Sequence, residues 1–262
     1  MSFFKAENIS ISFGGIKALS RVRFEISQGE VFGIIGPNGA GKTTIFNCIS
    51  RFYDLQEGRI FFRDKEISRM GSHRVASLGI ARTFQNIELF KNMTVMDNLL
   101  LGRHRHRRSN LFQEVLFSKS VRQQERKSRE KAEEIIDFLD LQAYRDQVVA
   151  GLSFGLQKIV ELGRALTVEP ALLLLDEPSS GMNVEETEDL ANWIIDIKEE
   201  LSITVLLVEH NMRLVTEVSD RVLALNFGEV IAEGSPQKVM KDPEVIKAYL
   251  GEESAFIKRQ KH

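Results

Sequence analysis

The stretch Val31-Phe32-Gly33-Ile34-Ile35-Gly36-Pro37-Asn38-Gly39-Ala40-Gly41-Lys42-Thr43-Thr44 decides how the rest of the chain is read. Its first five residues read as a buried strand. Gly36 to Thr43 fits G-x-x-x-x-G-K-[ST], and Thr43 to Ile49 then carries apolar residues at helical spacing. Strand, glycine loop and helix in that order are the context this motif needs. Glycines let the backbone curl until successive N–H groups point at phosphate oxygens. The helix that begins near Lys42 adds its positive N-terminal end. The loop therefore predicts ATP bound with Mg²⁺, its phosphates held by Gly36, Pro37, Asn38, Gly39, Ala40, Gly41, Lys42, Thr43 and Thr44. Lys42 is expected to reach the β- and γ-phosphates, and Thr43 to place its hydroxyl on the metal.

Outward from the loop, residues 3–35 read as short β segments: Phe24-Glu25-Ile26 alternates and Gly29-Glu30 makes a turn. Residues 58–62 suggest another strand and 79–84 one more. From about 94 to 168 the apolar spacing is helical, with Ile135, Phe138 and Leu139 on one face and Ile159, Leu162 and Leu166 on another. Strand and helix then alternate: strand 171–175, helix 184–201, strand 203–208, helix 211–218, strand 220–226. Such alternation implies parallel strands with crossover helices. Residues 235–250 read as two short helices split at Asp242-Pro243.

Composition narrows the class. The 262 residues are enough for one domain with sub-lobes, and 43% apolar with 27% charged residues is an ordinary globular balance. Lys plus Arg (35) nearly cancel Asp plus Glu (37), which gives no support for nucleic acid as a partner. Cys48 is the single cysteine, so no internal disulfide forms and a reducing compartment is expected. No apolar stretch approaches the roughly 20 residues that span a bilayer. Met1 to Glu7 lacks the pattern of a secretory signal. A cytoplasmic protein is expected, with any membrane contact made through a partner.

Leu172-Leu173-Leu174-Leu175-Asp176-Glu177 is a buried strand ending in two carboxylates. Open α/β sheets bind ligands at the carboxyl ends of their strands. Asp176 there can hold Mg²⁺, and Glu177 is placed to polarise an attacking water. Gln85, after the strand ending at Phe84, can ligate the metal or orient water, or is simply an exposed glutamine. His210 follows strand and Glu209; it is structural or catalytic, and spacing does not separate the two.

Leu152-Ser153-Phe154-Gly155-Leu156-Gln157 resembles the L-S-G-G-Q signature of ATP-binding-cassette ATPases, at that family's usual distance before the acidic strand. The resemblance in motif order covers about residues 3–250. It implies an α/β fold: a P-loop NTPase (RecA-like) core with an N-terminal antiparallel β subdomain and a helical subdomain carrying the signature. The ATP-binding domain would cover 1–251, with the helical subdomain at about 86–168, followed by a short C-terminal tail at 252–262. Gln85 falls on the family's Q-loop, Asp176 on its Walker B aspartate, Glu177 on its catalytic glutamate and His210 on its switch histidine. Thr43, Gln85 and Asp176 would then hold Mg²⁺, and Lys42 would join the catalytic set. Ser180 and Asn183 fall in the D-loop. Phe13 falls where the family lays an aromatic ring on adenine; a strand-core ring is the other reading. Ser153, Phe154, Gly155 and Gln157 would complete the ATP site of a second subunit in a head-to-tail homodimer or heterodimer.

Further segments narrow the resemblance to branched-chain amino-acid uptake ATPases. They include Ser12-Phe13-Gly14-Gly15, Ala81-Arg82-Thr83-Phe84-Gln85, Val208-Glu209-His210-Asn211-Met212 and Ile231-Ala232-Glu233-Gly234-Ser235-Pro236. The partners implied are a second ABC ATPase subunit, transmembrane permease subunits and, indirectly, a periplasmic solute-binding protein. The location implied is the inner face of the bacterial plasma membrane, held peripherally. Relatives with near-identical motifs serve urea or amide uptake and lipopolysaccharide export, and soluble cassettes act on ribosomes or DNA; these stay as alternatives. Phe154 stands where the wider family prefers glycine, an aromatic being usual in this subfamily, and two departures stand out: Leu156 replaces the signature glutamine, and Asn183 the D-loop's usual aspartate. Asn86 to Phe90 is expected to line the groove for the permease, through exposed Ile87, Leu89 and Phe90 or through core packing of the same residues. Residues 103–131 hold ten Lys or Arg against three acids, either a solvated helical insertion or a stretch near acidic lipid headgroups.

Overall fold

The computed structural model describes residues 2–83, 87–103 and 119–250. Strands β1 (Phe4–Phe13) and β2 (Ile16–Ile26) form a hairpin, and β4 (Glu57–Phe62) and β5 (Lys65–Glu66) extend it into a four-stranded antiparallel sheet of order β2-β1-β4-β5. The second sheet contains β3 (Val31–Ile35), β6 (Ile80–Arg82), β7 (Leu172–Asp176), β8 (Thr204–Val208), β9 (Arg221–Asn226) and β10 (Glu229–Gly234). Its order is β10-β9-β3-β8-β7-β6, parallel throughout except for β10, which runs antiparallel to β9. Eight helices of the described residues surround them: α1 (Lys42–Ile49), α2 (Ser72–Ser77), α3 (Val95–Gly102), α4 (Lys119–Phe138), α5 (Phe154–Leu166), α6 (Val184–Glu199), α7 (Met212–Val218) and α8 (Pro236–Val239). Residues 243–250 are also helical.

Every residue of β3, β7 and β8 is buried, so these strands read as continuous apolar runs and not as alternation. Their two faces nonetheless feed different cores. Leu172, Leu174, Leu206 and Val208 pack with α1 and the antiparallel sheet, whereas Leu173, Leu175, Val205 and Leu207 pack with α3, α4, α5 and α6. Successive side chains of a strand point to opposite faces. Each fully buried leucine or valine contributes about 1.5–3 kcal/mol, and the central strands clamp both lobes onto one sheet.

The α/β architecture expected from the sequence is observed. Three details differ. Asp176 is the last residue of β7 itself, because its backbone stays in register with Val208. The edge strand β10 was not anticipated, since its half-exposed sequence Glu229–Gly234 carries little apolar pattern. Helix α2 was also missed: it is six residues long and buries only Val75. The expected tail at 252–262 and most of the basic segment lie outside the described residues.

Candidate functional site

The phosphate loop follows β3 directly. Ile34 and Asp176 are both in register with Val208 on the intervening β8. With strands about 4.8 Å apart, the loop and the acidic strand end lie about 10 Å from each other across one strand. His210, two residues past β8, completes a cluster at the carboxyl edge of the sheet. Within the loop, two glycines are obligatory. At Gly36 (φ 151°) a Cβ would lie 2.3 Å from the Leu225 carbonyl oxygen, and at Gly41 (φ 105°) 2.7 Å from that of Ala18. The Ala40 carbonyl accepts from the Gly228 N–H at 2.9 Å, so the β9–β10 turn braces the loop from outside.

Lys42 is buried with its ammonium donating to the carbonyls of Gly36 (2.7 Å) and Pro37 (3.1 Å). Thr43 is exposed and Thr44 half-buried at the start of α1. On the same helix, burial pushes the Cys48 thiol up to about 12. A thiol that stays protonated is a poor nucleophile. Native protein at pH 8 is therefore expected to resist alkylation by iodoacetamide and to take up one equivalent only after denaturation, which intact-mass measurement reads directly.

Asp176 is 2% exposed. Its Oδ2 accepts from Arg82 Nη2 at 2.7 Å, and Arg82 Nη1 donates to Asn47 Oδ1 of α1 at 2.8 Å. The guanidinium also lies 5.4 Å from the Phe46 ring centroid. The other carboxylate oxygen, Oδ1, is buried without a hydrogen-bond partner among the described residues. A buried carboxylate oxygen left unmatched beside a phosphate loop suits a hard, oxygen-seeking cation.

Glu177 sits at φ 48°, a region that non-glycine residues rarely occupy and that clusters at functional sites. Its N–H donates to the Val208 carbonyl at 2.8 Å, and its Oε2 is 3.8 Å from His210 Nδ1. His210 is more than half exposed, so its ring faces the opening above the glutamate.

At the end of β1 Phe13 is 44% exposed, which excludes the strand-core reading. Tyr53 meets it edge-on at 4.9 Å, and Gln56 holds Ser12 by accepting from its N–H (2.9 Å) and donating to its carbonyl (3.2 Å). Ser153 caps α5, its hydroxyl accepting from the Leu156 N–H at 3.2 Å. Phe154 is exposed beside Gly181, Gly155 is buried against Glu186, and Gln157 donates to the Leu152 carbonyl at 3.0 Å. The two departures find local reasons. Leu156 packs on the helical core. Asn183 caps α6 in a reciprocal capping box with Glu186, a task for which asparagine and aspartate are equivalent. Ser180 closes the preceding turn by donating its N–H to the Glu177 carbonyl at 3.2 Å.

Gln85 and Asn86 lie outside the described residues. Of the apolar residues expected to be exposed behind them, Leu89 belongs to the core and Ile87 packs partly against it; Phe90 alone is exposed. Three site residues escaped the sequence reading: Arg82, Lys158 and Glu209. Glu209 carries much the same signal as Asp176, an acid closing a buried, largely apolar strand. Lys158 interrupts the core-facing stripe of α5.

A phosphate loop, an acidic strand end and a capped signature helix on a separate helical lobe define an ATP-binding cassette. The chain belongs to the ABC transporter family: the "ABC transporter" family profile matches residues 19–180, and the profile "Branched-chain amino acid ATP-binding cassette transporter" matches 229–255. It is 38% identical over 248 residues to the high-affinity branched-chain amino acid transport ATP-binding protein BraF of Pseudomonas aeruginosa, covering 95% of this chain and 97% of that one. Identity to LivG of Escherichia coli is 36% over 244 residues, 93% and 96% of the two chains. Among solved structures it resembles a nucleotide-free ATP-binding cassette from an ABC transporter (TM-score 0.82, 35% identity, 95% and 99% coverage). It resembles equally the ADP conformation of MJ1267, an ATP-binding cassette of an ABC transporter (TM-score 0.82, 34% identity, 96% and 99% coverage). The protein is an ATP-binding and ATP-hydrolysing cassette.

Proposed function

We propose that this cassette energises branched-chain amino-acid uptake as the ATPase subunit of an importer. The observation that carries the reading is likeness along the whole chain to branched-chain amino-acid ATP-binding proteins, extending through the C-terminal segment 229–255. Residues 1–251 form the ATP-binding domain, with its helical subdomain at about 86–168 and a short tail beyond.

At the site, Lys42 exchanges the neutral Gly36 and Pro37 carbonyls for the charged β- and γ-phosphate oxygens, which are stronger acceptors. Backbone N–H groups between Asn38 and Thr44 surround the remaining phosphate oxygens. Thr43, Gln85 and Asp176 would hold Mg²⁺, which would offset phosphate charge. Glu177 takes a proton from the attacking water, and His210, adjoining its carboxylate, stabilises charge on the γ-phosphoryl oxygens. The adenine rests on Phe13. Losing one base–aromatic stack costs about 1–3 kcal/mol, so Phe13→Ala is expected to raise the ATP dissociation constant about 10-fold and leave kcat close to wild type. Equal affinity in a fluorescent-nucleotide titration would remove Phe13 from the site.

Ser153 and Phe154 are exposed on the helical lobe and, with Gly155 and Gln157 behind them, serve the ATP of a second cassette, with Ser180 and Asn183 of the D-loop beside them. A cleft of about 530 Å³ between the lobes, lined by Phe52, His73, Ala76, Leu101, Arg164 and Val168, offers the groove for a permease helix. Among the described residues no helix is long and apolar enough to cross a membrane. Attachment to the inner face of the bacterial plasma membrane therefore runs through permease subunits, and a periplasmic solute-binding protein joins them on the far side. The decisive measurement is ATP-dependent uptake of labelled leucine by vesicles carrying the cassette with its permeases. Loss of leucine uptake on omission of the cassette is expected; uptake of urea or amides in place of leucine would overturn the solute, and recovery with ribosomes would overturn the importer.

A further inference from the structure

Glu177, Pro178 and Ser179 form a turn held at both ends by buried groups of opposite charge. At one end the Glu177 carbonyl accepts from Lys158 Nζ at 3.0 Å. Lys158 lies in the second turn of α5, 6% exposed, its ammonium 5.7 Å from the Phe154 ring centroid. At the other end the Ser179 N–H donates to Glu209 Oε1 at 2.8 Å, while Oε2 of that carboxylate accepts from the N–H groups of His210 (2.9 Å) and Asn211 (3.1 Å). Glu209 is fully buried. Pro178 between them brings no N–H of its own.

Burying an ammonium or a carboxylate costs several kcal/mol per ion unless its bonds are well made. Lys158 directs its bond at the backbone of the turn that carries Glu177, and Glu209 joins that turn to the backbone of the His210 loop. The void beneath it, lined by Lys158, Pro178 and Met182 among others, is about 10 Å³, no larger than one water. The turn thus cannot shift without α5 or the His210 loop shifting with it. Burial pulls the Lys158 ammonium below the ordinary lysine range, although Glu161, Glu209, Glu177 and Asp176 pull it back.

We propose that Lys158 and Glu209 are positioning residues for hydrolysis, a two-sided clamp that sets Glu177 and ties the signature helix to the His210 loop within one subunit. A displacement of α5 on meeting the ATP of a second cassette then reaches Glu177 and His210 of its own site through two hydrogen bonds. The inference rests on the reading of Glu177 as the base. Misplacement of a catalytic group by about 1 Å costs up to ~100-fold in rate.

The test measures ATP hydrolysis and nucleotide affinity for the full chain and for Lys158→Met, Lys158→Arg and Glu209→Gln. Lys158→Met and Glu209→Gln are expected to lower kcat about 10- to 100-fold with the ATP dissociation constant changed less than about 2-fold. Lys158→Arg, which keeps a donor, recovers part of the rate. The melting temperature of Lys158→Met should not fall, since a buried charge gives way to an apolar side chain of similar volume. If Glu209→Gln does not fold, the Lys158 pair decides alone. Wild-type kcat in Lys158→Met, or a loss shared equally by affinity and rate, overturns the clamp. Glu177→Gln separates the two failures: if it is inactive while Lys158→Met is normal, only the clamp falls, whereas a fully active Glu177→Gln removes the base itself.

Discussion

Glu177→Gln is expected to lower steady-state phosphate release by about 100- to 10,000-fold, the range that a general base contributes. The substitution changes little else. Glutamine has the same shape, can occupy the same φ of 48°, and keeps the backbone bonds to Val208 and Lys158. What is lost is the proton acceptor, and with it the attraction to His210 at 3.8 Å. ATP binding depends on the phosphate loop across β8 and should stay within a few-fold of wild type. Binding without hydrolysis should let a closed dimer accumulate, visible as an ATP-dependent shift in size-exclusion chromatography. Turnover at the wild-type rate would sink the assignment of Glu177; dimer formation without ATP would sink the account of what closes it.

Arg82→Ala is expected to destabilise the domain by about 3–5 kcal/mol, the cost of leaving a buried charge without its partner. Asp176 is 2% exposed and Arg82 donates to its Oδ2 at 2.7 Å. The same guanidinium donates to Asn47 on α1 and covers the face of Phe46, so these contacts vanish with the ion pair. Against a typical total stability of about 5–15 kcal/mol this is a large fraction. Denaturant unfolding followed by circular dichroism measures it. Arg82→Lys should recover only part, because an ammonium cannot serve Asp176 and Asn47 with a planar fork. Removing the charge as well, in Arg82→Ala/Asp176→Asn, should cost less than Arg82→Ala alone. A single-variant loss under 1 kcal/mol, or a double variant that is worse than additive, contradicts the ion pair as the source of stability.

Much of the site was legible in the sequence because the chemistry there is local. Gly36 to Thr43 is a glycine-rich run set between a strand and a helix, and Asp176-Glu177 marks its place by ending an apolar run. Arg82 could be quoted from the sequence but not given a task, since its partners lie 35 and 94 residues away. Glu209 and Lys158 were missed for a related reason: their partners are backbone groups of a turn, which carry no side-chain signature. Exposure was equally hidden. Leu89 and Phe90 are neighbours in sequence, and only the packing of the helical lobe buries one and leaves the other in solvent.

By itself the sequence determined the phosphate loop, the α/β class and the order of the cassette motifs, all of which follow from neighbours along the chain and from strand and helix periodicity. Tertiary structure alone decided the rest. Lys42 of the loop and Asp176 lie 134 residues apart in the chain; they meet because β3 and β7 both pair with β8. The same three-dimensional closure turns Glu209 and Lys158 into a clamp and leaves one oxygen of Asp176 open. Hydrogen bonds and burial act through space, and a linear pattern records them only where the partners are close in the chain.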